Sequence, residues 1–93
     1  MNEVIMEEKY KIFIKSLTCL IAEDFGFECW GDIDAHHIKS KGSGGGFINN
    51  LIPLCRKHHS LVHSMGRLTF QQKYVTNFKM LAHDIYFIYC QGL

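Results

Sequence analysis

Between Glu3 and Asp24 the apolar positions Val4, Ile5, Ile12, Phe13, Leu17, Leu20 and Ile21 recur at roughly helical spacing, with Glu and Lys between them. This pattern predicts one amphipathic helix, closed at Phe25-Gly26 because glycine accepts the left-handed conformation that ends helices. From Phe27 to Ile38, β-prone residues flank Gly31-Asp32, which predicts a short hairpin. Residues 40–46 read Ser-Lys-Gly-Ser-Gly-Gly-Gly, too flexible for a helix or strand, and so form a loop. Neither flank is long enough to be an independent domain, so the loop lies inside one fold, where glycine permits close backbone approach to a ligand. After Pro53, the run Leu54 to His63 reads as a strand end followed by a short helix stopping near Gly66. A second long helical pattern runs from Leu68 to Tyr89, with Phe70, Tyr74, Phe78, Leu81, Ile85 and Ile88 as its stripe. The fold class is therefore α+β in a single domain, 1–93, with a helix over 1–25, a central motif over 27–66 and a helix over 68–90.

The chain has 93 residues, 47% of them hydrophobic and 13% aromatic, enough for one core. Domains this small bury only about 60% of the surface that their unfolded chain exposes, so a bound metal would add useful stability. No stretch reaches the roughly 20 apolar residues of a membrane span, and the first residues, mixed with Glu and Lys, resemble neither signal peptide nor anchor. Four cysteines without a secretory signal are expected to be reduced or metal-bound. The expected location is cytoplasmic, in the host cytoplasm if the chain is phage-encoded. The net charge of +1 conceals an asymmetry: residues 1–34 hold eight acids against three lysines, while residues 35–93 hold seven bases against Asp84 alone. The later part is the one expected to attract phosphate.

Five of the six histidines lie between His36 and His63, in two clusters separated by the glycine loop. His59 and His63 are spaced i, i+4 and share one helix face, where they can grip a single ion. His36, on the preceding strand, supplies a third ligand. Three protein ligands with an open position suit a catalytic rather than a structural metal. His37 points to the opposite strand face and is left to act as a general base, its ordinary pKa of about 6.5 suiting it to take a proton from water.

The run Ala35-His36-His37-Ile38, the glycine loop, Asn50-Leu51, Leu54-Cys55 and His59-x-x-x-His63 resembles the HNH endonuclease motif. The resemblance covers about 40 residues, Cys29 to Gly66, and looks closest to small phage-borne HNH nucleases, whose helix often begins Leu-Cys-Arg-Lys-His-His. It implies a ββα-metal core, a β-hairpin and a short metal-binding helix, flanked here by the long N- and C-terminal helices. It also implies one divalent ion, Mg²⁺, Mn²⁺, Ni²⁺ or Zn²⁺, held by His36, His59 and His63, with His37 activating water and Asn50 fixing the loop. Asn49 is the alternative asparagine. The implied reaction is hydrolysis of a DNA phosphodiester.

Many relatives also carry two Cys-x-x-Cys pairs that bind structural zinc. The corresponding positions here read Cys29-Trp30-Gly31-Asp32 and Cys55-Arg56-Lys57-His58, so Cys29, Asp32, Cys55 and His58 are the candidate structural zinc ligands, the alternative being two buried thiols and a surface histidine. Lys39, Lys41, Arg56, Lys57 and Arg67 flank the site as candidate DNA phosphate contacts. Cys19 and Cys90 read as structural thiols and His83 as a surface or core residue. Trp30 and the Tyr86–Tyr89 stretch suit either base stacking or the packing of a core or homodimer. The rival functions are a non-enzymatic zinc-dependent DNA-binding module, which gives His37 no task, and an interaction protein in which metal only staples the fold.

Overall fold

The computed structural model describes residues 3–21 and 29–92. Among these residues the order is α1 (Glu3–Lys15), β1 (Ile33–His37), a 3-10 turn (Lys41–Ser43), β2 (Leu51–Cys55), α2 (Arg56–Met65), α3 (Arg67–Lys73) and α4 (Phe78–Gly92). The α+β class follows directly. None of these helices is long and apolar enough to cross a membrane.

The two strands pair antiparallel, with Ile33 opposite Cys55 and His37 opposite Leu51. This corrects the hairpin expected about Gly31-Asp32: Cys29 to Asp32 is irregular, and β1 finds its partner across the glycine loop. Gly31 has φ +85°, and a Cβ there would lie 2.5 Å from the Cβ of Arg56, so the residue is fitted against the start of α2. Residues 27 and 28 of the expected hairpin fall outside the described set.

All five residues of β2 are buried, because both faces of the strand are covered. Leu51 packs with Tyr10 and Ile14 of α1 and with Phe47. Ile52 and Leu54 point the other way, into a cluster with Val62, Phe70, Phe78 and Ala82. This division explains why α1 stops at Lys15 and does not run on to Asp24. Ser16 donates its hydroxyl to the Phe13 carbonyl at 2.6 Å, and the chain turns so that Cys19, Leu20 and Ile21 enter the second cluster. A straight helix would keep Ile14 and Ile21, seven residues apart, on one face and in one cluster. The closure expected at Phe25-Gly26 lies outside the described residues.

The second long helix is likewise two. Val75 takes φ +49°, the Gln71 side chain accepts from the Phe78 amide at 2.8 Å, and Asn77 caps α4 by accepting from the Met80 amide at 3.0 Å. The bend lets Phe70, Tyr74 and Phe78 stack within 4.5–5.7 Å, after which α4 carries Ile85, Tyr86 and Tyr89 across to the α1 cluster. The short helix expected to stop near Gly66 is α2, with Gly66 at φ +91° as its C-cap. The glycine loop contains a single 3-10 turn at Lys41–Ser43, a small departure from the irregular loop expected.

Candidate metal centres

Alternation along β1 sends Asp34 and His36 toward α2 and Ala35 and His37 toward α1. His36 is buried, its ring centroid 5.0 Å from that of His59 and 5.8 Å from that of His63. One nitrogen from each of the three histidines lies within 4.8 Å of the others. Burial, reinforced by the neighbouring His59, His63, His37 and Arg67, pushes the His36 pKa down to about 4, so its ring is neutral at pH 7 and keeps a lone pair for a metal.

Asp34 is one of two residues, with Cys19, whose place in these centres the sequence pattern did not single out. Its carboxylate lies 2.9 Å from His59 Nδ1 and receives a bidentate fork from Arg56, 2.8 Å from Nε and 3.0 Å from Nη2. Burial raises the Asp34 pKa, but the hydrogen bonds and charges of Arg56 and His59 outweigh it and hold the group below its usual value. An ionised carboxylate only accepts, so Nδ1 of His59 carries the proton and Nε2 presents its lone pair. That Nε2 lies 3.1 Å from Nε2 of His63. Nitrogens bound about 2.0–2.1 Å from one tetrahedral zinc stand about 3.3 Å apart, so the pair is spaced to share an ion. A carboxylate behind a ligating imidazole is the usual second layer of such sites.

His37 lines a cleft of about 440 Å³ together with Lys11, Lys15, Asp34, Ala35, Arg56 and His59, its Nε2 buried. The acid-rich N-terminal part thus contributes two lysines, Lys11 and Lys15, beside this histidine. Lys11 also pairs with Glu7 at 3.6 Å and Glu8 at 3.8 Å. Asn50 clasps the loop that follows His37: its Oδ1 accepts from the Lys39 amide at 2.8 Å, and its Nδ2 donates to the carbonyls of Lys39 and Gly46 at 2.9 and 2.8 Å. Gly45 must be glycine here, because a Cβ would lie 2.0 Å from the Lys39 carbonyl oxygen. Asn49, the alternative, is exposed at φ +54°.

A second cluster is formed by Cys19, Cys29, Cys55 and His58. Nδ1 of His58 lies 3.7 Å from Cys19 Sγ, 3.5 Å from Cys29 Sγ and 3.2 Å from Cys55 Sγ. Sulfur and nitrogen ligands of a tetrahedral zinc are about 3.6 Å apart, and three thiols with one imidazole are among the usual structural sets. Cys55 also caps α2, accepting from the His58 amide at 3.5 Å. That contact helps hold its thiol pKa below the ordinary value against the burial that raises it, while burial first and its Cys55 and Cys19 neighbours next push Cys29 up to about 12. With Cys19, Cys55 and His58 at most 2% exposed, this centre is closed, whereas His63 is exposed and the histidine centre is open.

Cys19 therefore stands where Asp32 was expected; Asp32 is exposed and outside the cluster. Its signal was the mismatch itself, two thiols and a histidine short of one soft ligand. Arg56, expected at phosphate, is committed to Asp34. Arg67 donates to the Ile38 carbonyl at 2.7 Å and, with Lys39, lines a groove beside the glycine loop, whereas Lys57 lies outside that groove; the Lys41 side chain is outside the described set. Tyr86 and Tyr89 pack edge-on against Tyr10 at 5.3 and 4.8 Å, a core role, while Trp30 is exposed. His83 and Cys90 are exposed and away from both centres. Compared with models of known families, with curated proteins and with solved structures, the chain matches none.

Proposed function

We propose that this chain is a divalent-metal-dependent DNA endonuclease of the HNH type, stabilised by a structural zinc at Cys19, Cys29, Cys55 and His58. The observation that carries the reading is the convergence of His36, His59 and His63 within 4.8 Å, open on one side, with His37 next in sequence and lining a cleft that His59 also borders. His36, His59 and His63 would hold the ion. Once bound, it supplies Lewis-acid stabilisation to the phosphate and the departing oxygen.

The protein's own groups do the rest. His37 accepts the proton of the attacking water on a ring nitrogen. Asn50 fixes the backbone of Lys39 and Gly46 and so the end of the strand that bears His37. Asp34, itself clamped by Arg56, keeps the His59 lone pair turned toward the ion. The closed cysteine centre ties Cys19, which follows α1, to the start of α2. Its task is to keep β1 and α2 in register.

Supercoiled plasmid incubated with purified protein and each of Mg²⁺, Mn²⁺, Ni²⁺ and Zn²⁺ tests the reading, with a chelator as control. Nicking that requires one of the ions is expected. Binding of DNA without cleavage under every ion favours a zinc-dependent binding module instead.

A further inference from the structure

A cleft of about 910 Å³ runs between the glycine loop and the α3–α4 bend. Among the described residues three cations line it, Lys39, Arg67 and Lys79, together with the side-chain amides of Gln71 and Asn77, and neither Asp nor Glu does. Lys39, Arg67 and Lys79 are exposed. The other cleft near the histidines, by contrast, includes Asp34, and its Lys11 is shared with two glutamates.

Two contacts join this groove to the histidine centre. Phe78 lines it and places its ring centroid 5.9 Å from that of His36. Arg67 lines it and donates to the carbonyl of Ile38, the residue after His37. A polyanion lying along the groove therefore arrives at the end of β1.

We propose that this groove seats the sugar-phosphate backbone of duplex DNA as it leaves the histidine centre, with Lys39, Arg67 and Lys79 as its phosphate contacts. The assignment rests on the nuclease reading and changes its contact set: Lys79 enters, Arg56 and Lys57 drop out, and the Lys41 side chain lies outside the described set. Cations and amides without acids match a phosphate backbone, and contacts of this kind position a duplex without reading its sequence.

Binding needs no cleavage, so the test uses full-length His37→Ala protein loaded with metal and a labelled duplex, followed by anisotropy from about 50 to about 200 mM salt. Lys39→Gln and Lys79→Gln are each expected to weaken binding to unrelated duplexes alike and to flatten the log–log salt slope by about 0.9. Lys57→Gln keeps both affinity and slope. Unchanged binding in Lys79→Gln and in the charge-reversed Lys79→Glu overturns the proposal, as does an equal loss in Lys57→Gln. Tighter groove-dependent binding of duplex RNA overturns the assignment to DNA. Failure of the wild-type protein to nick plasmid, with these lysine effects intact, refutes the nuclease reading and leaves the groove assignment standing.

Discussion

Replacing Asp34 by alanine removes the carboxylate that fixes the proton on His59 Nδ1, without substituting a proposed ligand. The lost contact is a 2.9 Å hydrogen bond to an ionised carboxylate, and its loss frees the His59 ring to rotate or to exchange tautomers. It also releases Arg56 from its bidentate hold, leaving an uncompensated positive charge near the ion. Both effects weaken cation binding. Loss of such an outer carboxylate costs about 10–100-fold in metal affinity, or about 1.4–2.7 kcal/mol. Calorimetric titration of Mn²⁺ or Ni²⁺ into zinc-loaded wild type and Asp34→Ala measures this at the histidine centre. Asp34→Asn, whose amide oxygen can still accept from Nδ1, should lose less. The double variant Asp34→Ala/Arg56→Ala separates the two causes, because it restores only the share due to the freed guanidinium. Wild-type affinity in Asp34→Ala would refute the reasoning, since the carboxylate would then orient nothing.

Cys19→Ala should lose one equivalent of zinc per chain by elemental analysis and lower the melting temperature, whereas Asp32→Ala should change neither. Asn50→Ala deletes three side-chain hydrogen bonds to the loop; at about 1 kcal/mol each, a stability loss of about 1–3 kcal/mol should appear in urea denaturation, together with reduced cleavage. For metal-free protein, folding depresses the His36 pKa from 6.5 to about 4, so the unfolded chain binds the proton more readily. Stability should therefore decline as pH falls from about 6.5 toward 4. Asp34, held below its ordinary value of 3.8, contributes only to losses at still lower pH. Urea midpoints of wild type and His36→Gln across this range check the sign, and the variant should show a shallower decline, retaining the part due to His58, whose pKa burial and Lys57 also lower.

The parts of the site that rest on short-range periodicity were legible in the chain. His59 and His63 share a helix face by spacing alone, and alternation separates His36 from His37. The same alternation places Asp34 beside His36, so its role was within reach of a two-residue count along β1. Cys19 was not: no local pattern joins it to Cys55, and only the turn after Lys15 brings it there. The helix breaks were hidden for a related reason. The apolar stripe of Val4 to Ile21 continues through Ser16, and that of Phe70 to Ile88 continues through Val75, yet each stripe serves two clusters on opposite faces of β2. Where a stripe is divided is decided by tertiary packing, which local spacing does not encode. The strand pairing failed similarly, because the Gly31-Asp32 turn signal is local whereas the register of Ile33 with Cys55 spans the glycine loop.

The central claim assigns His37 to water and His63 to the ion, and it is tested most directly by plasmid nicking and metal titration on wild type, His37→Ala and His63→Ala. His37→Ala should bind metal as wild type does while its nicking rate falls by a factor on the order of 10²–10⁴. His63→Ala should bind metal more weakly and regain part of its activity at high metal concentration. A His37→Ala protein that nicks at the wild-type rate would contradict the account.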